Sequence, residues 1–301
     1  MIFTPLTFYG LQVATPVANL PNITGGTIFT YTSGSSTYKS HTFTGDGTLV
    51  VTSLGNLATA QLLVVAGGGG GGFGNTSGGG GAGGYILSSS YSLTTTTYNV
   101  KIGAGGAVNN NNAQSGSPGN LSGFYNVTAS GGGGGMADGA NIASIAGGSG
   151  GGAGVNYPAT VGAGIFGQGN SGSRGNVSGP PYPAGGGGGA NNAGGTGSYV
   201  NAGGSGSINY LRSGSAISYA GGGFGGTQFD LISSLPFTSG SSGGQGRGSN
   251  KDYSGGEANQ ISLPGLTNFG GGGGGAGATG ESFRSGSAGG SGIVIVTYLY
   301  Q

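Results

Sequence analysis

Six carboxylates, seven basic side chains and one histidine are all the charged or acid–base chemistry, tyrosine aside, that 301 residues offer here. The carboxylates are Asp46, Asp138, Asp230, Asp252, Glu257 and Glu281. Only Asp252 and Glu257 stand close, separated by Tyr253-Ser254-Gly255-Gly256. Two carboxyl groups held about 5–9.5 Å apart would suit a glycosidase, but on so Gly- and Ser-rich a stretch they read as a solvated loop. His41 opens a run rich in Thr and Phe and reads as a structural hydrogen-bonding residue. Without cysteine there is neither a thiolate metal site nor a disulfide framework. No Gly run ends in the Lys-Ser or Lys-Thr of a phosphate loop, and none has the strand–helix setting of a dinucleotide site. We expect no catalysis, no cofactor and no metal.

What remains suits recognition. Between the glycine runs lie Tyr157-Pro158, Pro180-Pro181-Tyr182-Pro183, Asn209-Tyr210-Leu211-Arg212, Phe229-Asp230-Leu231-Ile232, Asn250-Lys251-Asp252-Tyr253 and Phe283-Arg284. Tyr and Arg on rigid loops give large contact area at small entropic cost. The candidate receptor-binding residues are therefore Tyr157, Tyr182, Tyr210, Arg212, Phe229, Asp230, Lys251, Tyr253, Phe283 and Arg284. The competing reading has the same aromatics cap the ends of a glycine bundle. The first 24 residues form a separate apolar segment broken by Pro5, Pro16 and Pro21, and Ile2, Phe3, Leu6, Phe8 and Tyr9 would serve an arm docked on a partner or packed on the chain itself. A net charge of +1 gives no reason to bind nucleic acid. No apolar run reaches eighteen residues, so no membrane insertion is expected.

The elements that must hold these segments are dominated by glycine. Of 82 glycines, 74 fall between residues 67 and 290, and Gly with Pro makes up nearly a third of the chain. Disorder is the usual reading of such a composition, yet 15 Tyr, 12 Phe and only 4% charge oppose it. Collagen is excluded because Gly does not recur at every third position. Ordering a Gly costs roughly 0.5–1 kcal/mol more than ordering Ala, so some contact open only to bare backbones must compensate. Polyglycine II supplies one: a three-residue-per-turn rod without internal hydrogen bonds, whose N–H and C=O groups bond neighbouring rods. Flat glycine-rich β layers are the alternative. Gly67–Gly72, Gly131–Gly135, Gly185–Gly189 and Gly270–Gly275 are bare on every face and could be surrounded, whereas 193–207 and 285–290 suit the outside. A six-glycine rod is about 19 Å long.

Strands are predicted at residues 27–32, 41–44, 48–53, 61–66, 85–87, 98–102, 124–129 and 293–300, with no helical period anywhere. The fold class is all-β: a β-sandwich from which glycine-rich excursions (67–290) emerge into a polyglycine II-type bundle, closed by the strand 293–300. Residues 25–301 read as one interlocked body behind the arm 1–24.

His41-Thr42-Phe43-Thr44-Gly45-Asp46-Gly47-Thr48-Leu49-Val50-Val51, Leu62-Leu63-Val64-Val65-Ala66 running into six Gly, and Gly289-Gly290-Ser291-Gly292-Ile293-Val294-Ile295-Val296-Thr297-Tyr298 carry a resemblance. The chain resembles the glycine-rich domains of phage tail fibres and other virion proteins, over residues 41–300. The resemblance implies a virion location and a tail fibre or tip adhesin that meets a host surface glycan or outer-membrane protein. The alternative is a capsid decoration or vertex fibre with a purely structural role, and in either case other virion proteins are the partners of the N-terminal arm. A cell-surface or filament protein is the third reading. No catalytic set comes with the resemblance.

Overall fold

The computed structural model describes residues 19–109, 114–137, 146–155, 161–176, 178, 182–197, 201–227, 262–277 and 285–301. Among these residues it is all-β, without a helix. The strands are β1 (Asn22–Thr24), β2 (Thr27–Ser33), β3 (Ser36–Phe43), β4 (Gly47–Ser53), β5 (Ala60–Val65), β6 (Tyr85–Tyr91), β7 (Thr97–Lys101), β8 (Ser122–Phe124), β9 (Val127–Ala129), β10 (Ser207–Asn209), β11 (Ile217–Tyr219) and β12 (Ile293–Leu299). Two five-stranded antiparallel sheets, β1-β4-β7-β8-β9 and β2-β3-β12-β5-β6, face each other, and β10-β11 is a separate hairpin. Between the sheets lies a core that includes Phe43, Leu49, Leu62, Tyr98, Phe124 and Val296. Alternation decides which residues enter it: Leu62 and Val64 of β5 point inward, while Leu63 and Val65 point to the opposite face.

That opposite face is also covered. Leu63, Val65, Ile293 and Ile295 pack against Leu211 and Tyr219 of the β10–β11 hairpin and against Ala82 and Ala220 of the glycine-rich part. β12 is thus buried on both faces, which is why it reads as an unbroken apolar run. It lies at the centre of its sheet, between β3 and β5. The predicted strand 124–129 is a hairpin, β8 and β9, because Tyr125 turns the chain with φ +52°.

The glycine-rich part is a bundle of three-residue-period rods. Residues 77–84 carry the proof in their hydrogen bonds. The N–H groups of Ser77, Gly80 and Gly83 donate to Ala276, Gly273 and Gly270; those of Gly78, Gly81 and Gly84 donate to Met136, Gly133 and Ser130; those of Gly79 and Ala82 donate to Gly185 and Gly188. Their carbonyls accept with the same period from residues 66–72, 149–152 and 223–226. These bonds span 2.8–3.0 Å and join one rod to six others. A flat β layer would repeat every second residue and bond two neighbours, so the layered alternative is excluded for this rod. None of its glycines has a positive φ, consistent with the left-handed rod rather than its mirror image.

Sandwich and bundle share one register. Leu63 opposite Leu87 and Val65 opposite Tyr85 in β5–β6 continue as Ala66 to Gly84, Gly69 to Gly81 and Gly72 to Gly78. The chain changes from a two-residue to a three-residue period without a slip. All four long glycine runs are almost wholly buried, and 193–197 with 201–207 keeps exposed positions, as expected of an outer rod.

Candidate functional site

The rods define two poles. At the near end they join β5, β6, β7, β8, β9, β11 and β12 directly. At the far end, hydrogen bonds tie together the residues where rods stop. Val155 N donates to Thr76 O at 3.3 Å, Gly226 N to Ser77 O at 2.9 Å, and Thr76 bridges Gly277. Ser77 clasps this end from within: its Oγ donates to Gly72 O at 2.7 Å and accepts from Ala276 N at 2.8 Å.

Tyr182 stands at this far end. It has φ +48°, a left-handed conformation that side chains rarely adopt, and the backbone after it is held firmly. Asn176 N donates to Pro183 O at 2.8 Å, and Asn201 Nδ2 donates to both Pro183 O and Arg174 O at 3.2 Å. Asn201 is fully buried, and its own carbonyl accepts from Gly225 N at 3.0 Å. One buried Asn therefore ties together the backbone that follows Tyr182 and the backbone of the exposed Arg174. Arg174 is absent from the sequence candidates, since it lies inside a rod rather than in an aromatic-bearing segment. Strain of order 1–3 kcal/mol at Tyr182 persists only where its surroundings enforce it, and such positions concentrate in binding sites.

Tyr210 and Arg212 are elsewhere. They lie not between rods but in the turn of the β10–β11 hairpin, on the outer flank of the second sheet. Ser40 Oγ donates to Arg212 O and Thr297 Oγ1 to Leu211 O, both at 2.8 Å. Tyr210 is exposed, and in the same hairpin burial pushes the Tyr219 hydroxyl up to about 12 against the opposing charge of Arg212. Tyr157, Phe229, Asp230, Lys251, Tyr253, Phe283 and Arg284 lie outside the described residues, as do Ile2, Phe3, Leu6, Phe8, Tyr9, Asp252 and Glu257. The residues that flank several of them are described: Val155, Thr227, Ser262, Gly277 and Ser285 all stop at the far end, where Ser262 Oγ reaches Ser285 O at 3.2 Å.

The opposite pole has different chemistry. Asn19–Pro21, Asn56–Thr59 and Leu299–Gln301 enclose a cleft of about 360 Å³. Nearby, Lys39 Nζ sits 3.6 Å from the centre of the Tyr300 ring. His41 is structural: its Nδ1 lies 2.8 Å from Gly25 O and its Nε2 3.1 Å from the Tyr298 hydroxyl. A carbonyl only accepts, so Nδ1 carries the proton and Nε2 accepts from Tyr298 in the neutral ring. Burial lowers the His41 pKa, the Gly25 bond opposes this, and Lys39 adds to the lowering.

Among the described residues no group of three His, Cys, Asp or Glu could hold a metal, and no helix is long and apolar enough to cross a membrane. A family model described as a glycine-rich domain matches residues 42–299. No curated protein matches the chain.

Proposed function

This chain belongs to the glycine-rich domain family, and from that premise we propose that it is a phage virion protein, a tail fibre or tip adhesin, that binds the host surface through the far end of its bundle. One observation supports the reading most. The described rod ends next to five of the six aromatic-bearing segments meet at one pole, while residues 19–21, 299–301 and the cleft they line meet at the other. A protein that is held at one end and recognises at the other needs that separation. Six-neighbour backbone bonding makes the intervening bundle stiff, so rim residues are presented at low entropic cost.

Tyr182 is the described residue on which the proposal turns. Tyr182→Ala is expected to weaken adsorption to host cells by roughly 30-fold, the scale of a hot-spot tyrosine, with particle assembly unchanged. Tyr210→Ala, on the flank, leaves adsorption as it was. Binding indifferent to Tyr182 while particles carry the protein would favour a capsid decoration or vertex fibre, for which the cleft serves docking alone. Immunogold labelling of native particles adds the location: label at the tail tip agrees with the adhesin, and label over the head transfers the function to the capsid.

A further inference from the structure

Four strands stand at the edges of the two large sheets: β1 and β9 in one, β2 and β6 in the other. An open edge offers unpaired N–H and C=O groups to another strand, and folded proteins blunt it by shortness, bulges, charge or cover. Three of these edges carry such a device. β1 and β9 have three residues each, and the register of β1 shifts. β6 shifts register against β5, and its first N–H donates to Gln168 O at 2.9 Å. β2 carries none. Its seven residues pair with β3 without interruption and include no charge, and Ile28 and Phe29 are 48% and 50% exposed.

Hairpin geometry identifies the free groups. β2 and β3 join through the two-residue turn Gly34-Ser35, so Ser33 and Ser36 form a hydrogen-bonded pair and bonded pairs alternate from there. Thr27, Phe29, Tyr31 and Ser33 direct their N–H and C=O groups to β3. Those of Ile28, Thr30 and Thr32 face outward, and among the described residues no turn or loop hydrogen-bonds to them.

We propose that β2 pairs with β2 of a second copy of this chain, antiparallel about a two-fold axis through Thr30. The strand's own sequence selects this occupant. Reflected through Thr30, it nearly reproduces itself: Phe29 falls on Tyr31, Ile28 on Thr32 and Thr27 on Ser33. An isologous contact requires each residue to suit its reflected partner, and these pairs set aromatic against aromatic, β-branched against β-branched and hydroxyl against hydroxyl, with no charge opposed. In this register Thr30 exchanges two bonds with its mate and each Ile28 two with a Thr32, about six in all. Phe29 and Tyr31 then meet the partner's Tyr31 and the partner's Phe29 in the closer, non-bonded positions. They extend a stack in which Phe29, Tyr31 and Tyr38 already follow one another with ring centres 6.5 and 5.5 Å apart. The absence of charge leaves nothing to repel across the axis. One strand pair is smaller than a standard stable interface, so the dimer is expected to dissociate in the micromolar range.

The proposal does not depend on the host-binding role, and a failed adsorption test leaves it standing. Sedimentation velocity of the full chain from about 1 to about 100 μM brackets the expected dissociation constant and should show a monomer–dimer equilibrium. Thr30→Pro deletes an outward N–H, which an edge strand tolerates, and should weaken the dimer at least tenfold while near-UV circular dichroism stays native. Thr30→Cys, in a chain without cysteine, should form a disulfide dimer under mild oxidation, since bonded antiparallel partners lie about 5.5 Å apart. A chain that stays monomeric throughout overturns the proposal. So does a dimer that Thr30→Pro leaves intact, or a Thr30→Cys variant that fails to crosslink.

Discussion

The buried His41 makes folding stability depend on pH just below neutrality, an expectation that follows from its surroundings. Its ring is enclosed between Gly25 and Tyr298, and burial holds its pKa below the usual 6.5. Below about pH 6.5 the unfolded chain takes up a proton at this histidine and the folded chain does not, so folding loses stability as pH falls towards the depressed folded value. Below that value the loss levels off. Chemical denaturation between pH 7.5 and about 5, above the ordinary carboxylate range, should show this decline. Because the chain has one histidine, His41→Gln should flatten the profile, and a decline that persists in that variant assigns it elsewhere. The sequence reading of His41 as a structural residue agrees with the bonds it makes. The same reading could not tell Tyr182 from Tyr210, because both stand as aromatics near glycine runs. What separates them is tertiary: Asn201 secures the backbone beside one, and the sheet's Ser40 and Thr297 secure the turn that carries the other.

At the level of elements, rods and strands were legible for different reasons. Long strands showed through alternation and β-branched residues, so β2, β4, β5, β7 and β12 were predicted within a few residues. β1, β10 and β11 have three residues each and leave no periodic signal; their partners define them. Glycine runs, with no side chain for any face, suit polyglycine II and flat β layers alike, and the neighbours whose three-residue bonding decides between them are long-range and invisible locally. The rods also explain where a methyl is allowed. A Cβ on Gly80 would lie 2.2 Å from Gly69 O, a backbone atom that cannot yield without moving its rod. Two residues on, the methyl of Ala82 points into the apolar cluster around Leu63 and Tyr219. Gly80→Ala should therefore cost more than roughly 3 kcal/mol, beyond ordinary overpacking. Ala82→Gly should cost about 1.5 kcal/mol, from one lost methyl and a freer chain. Urea midpoints of the two variants provide the comparison. Equal midpoints would contradict close backbone packing as the source of the rod's stability.

For the whole molecule the question is whether sandwich and bundle stand or fall together. Apolar burial between two sheets stabilises one, and backbone hydrogen bonds with few side chains stabilise the other. Three features couple them. β5 and β6 run into rods 66–72 and 77–84 without a change of register. Ala82 and Ala220 of the bundle share an apolar cluster with Ile293 and Ile295 of the sheet. The rods draw on strands from across the chain, so no single excursion can leave without breaking bonds to several others. A rod such as 77–84 has every N–H bonded and no exposed face, and it has no route to local fraying of the kind that opens surface helices. Native-state hydrogen exchange tests this. The amides of Gly79, Gly80 and Gly81 should exchange only through global unfolding, with the same free energy and denaturant dependence as those of Val64 and Ile295. Exchange of the rod amides at distinctly lower free energy would mean that the bundle opens on an intact sandwich, and a stiff support for its rim residues would then have to be sought in a partner.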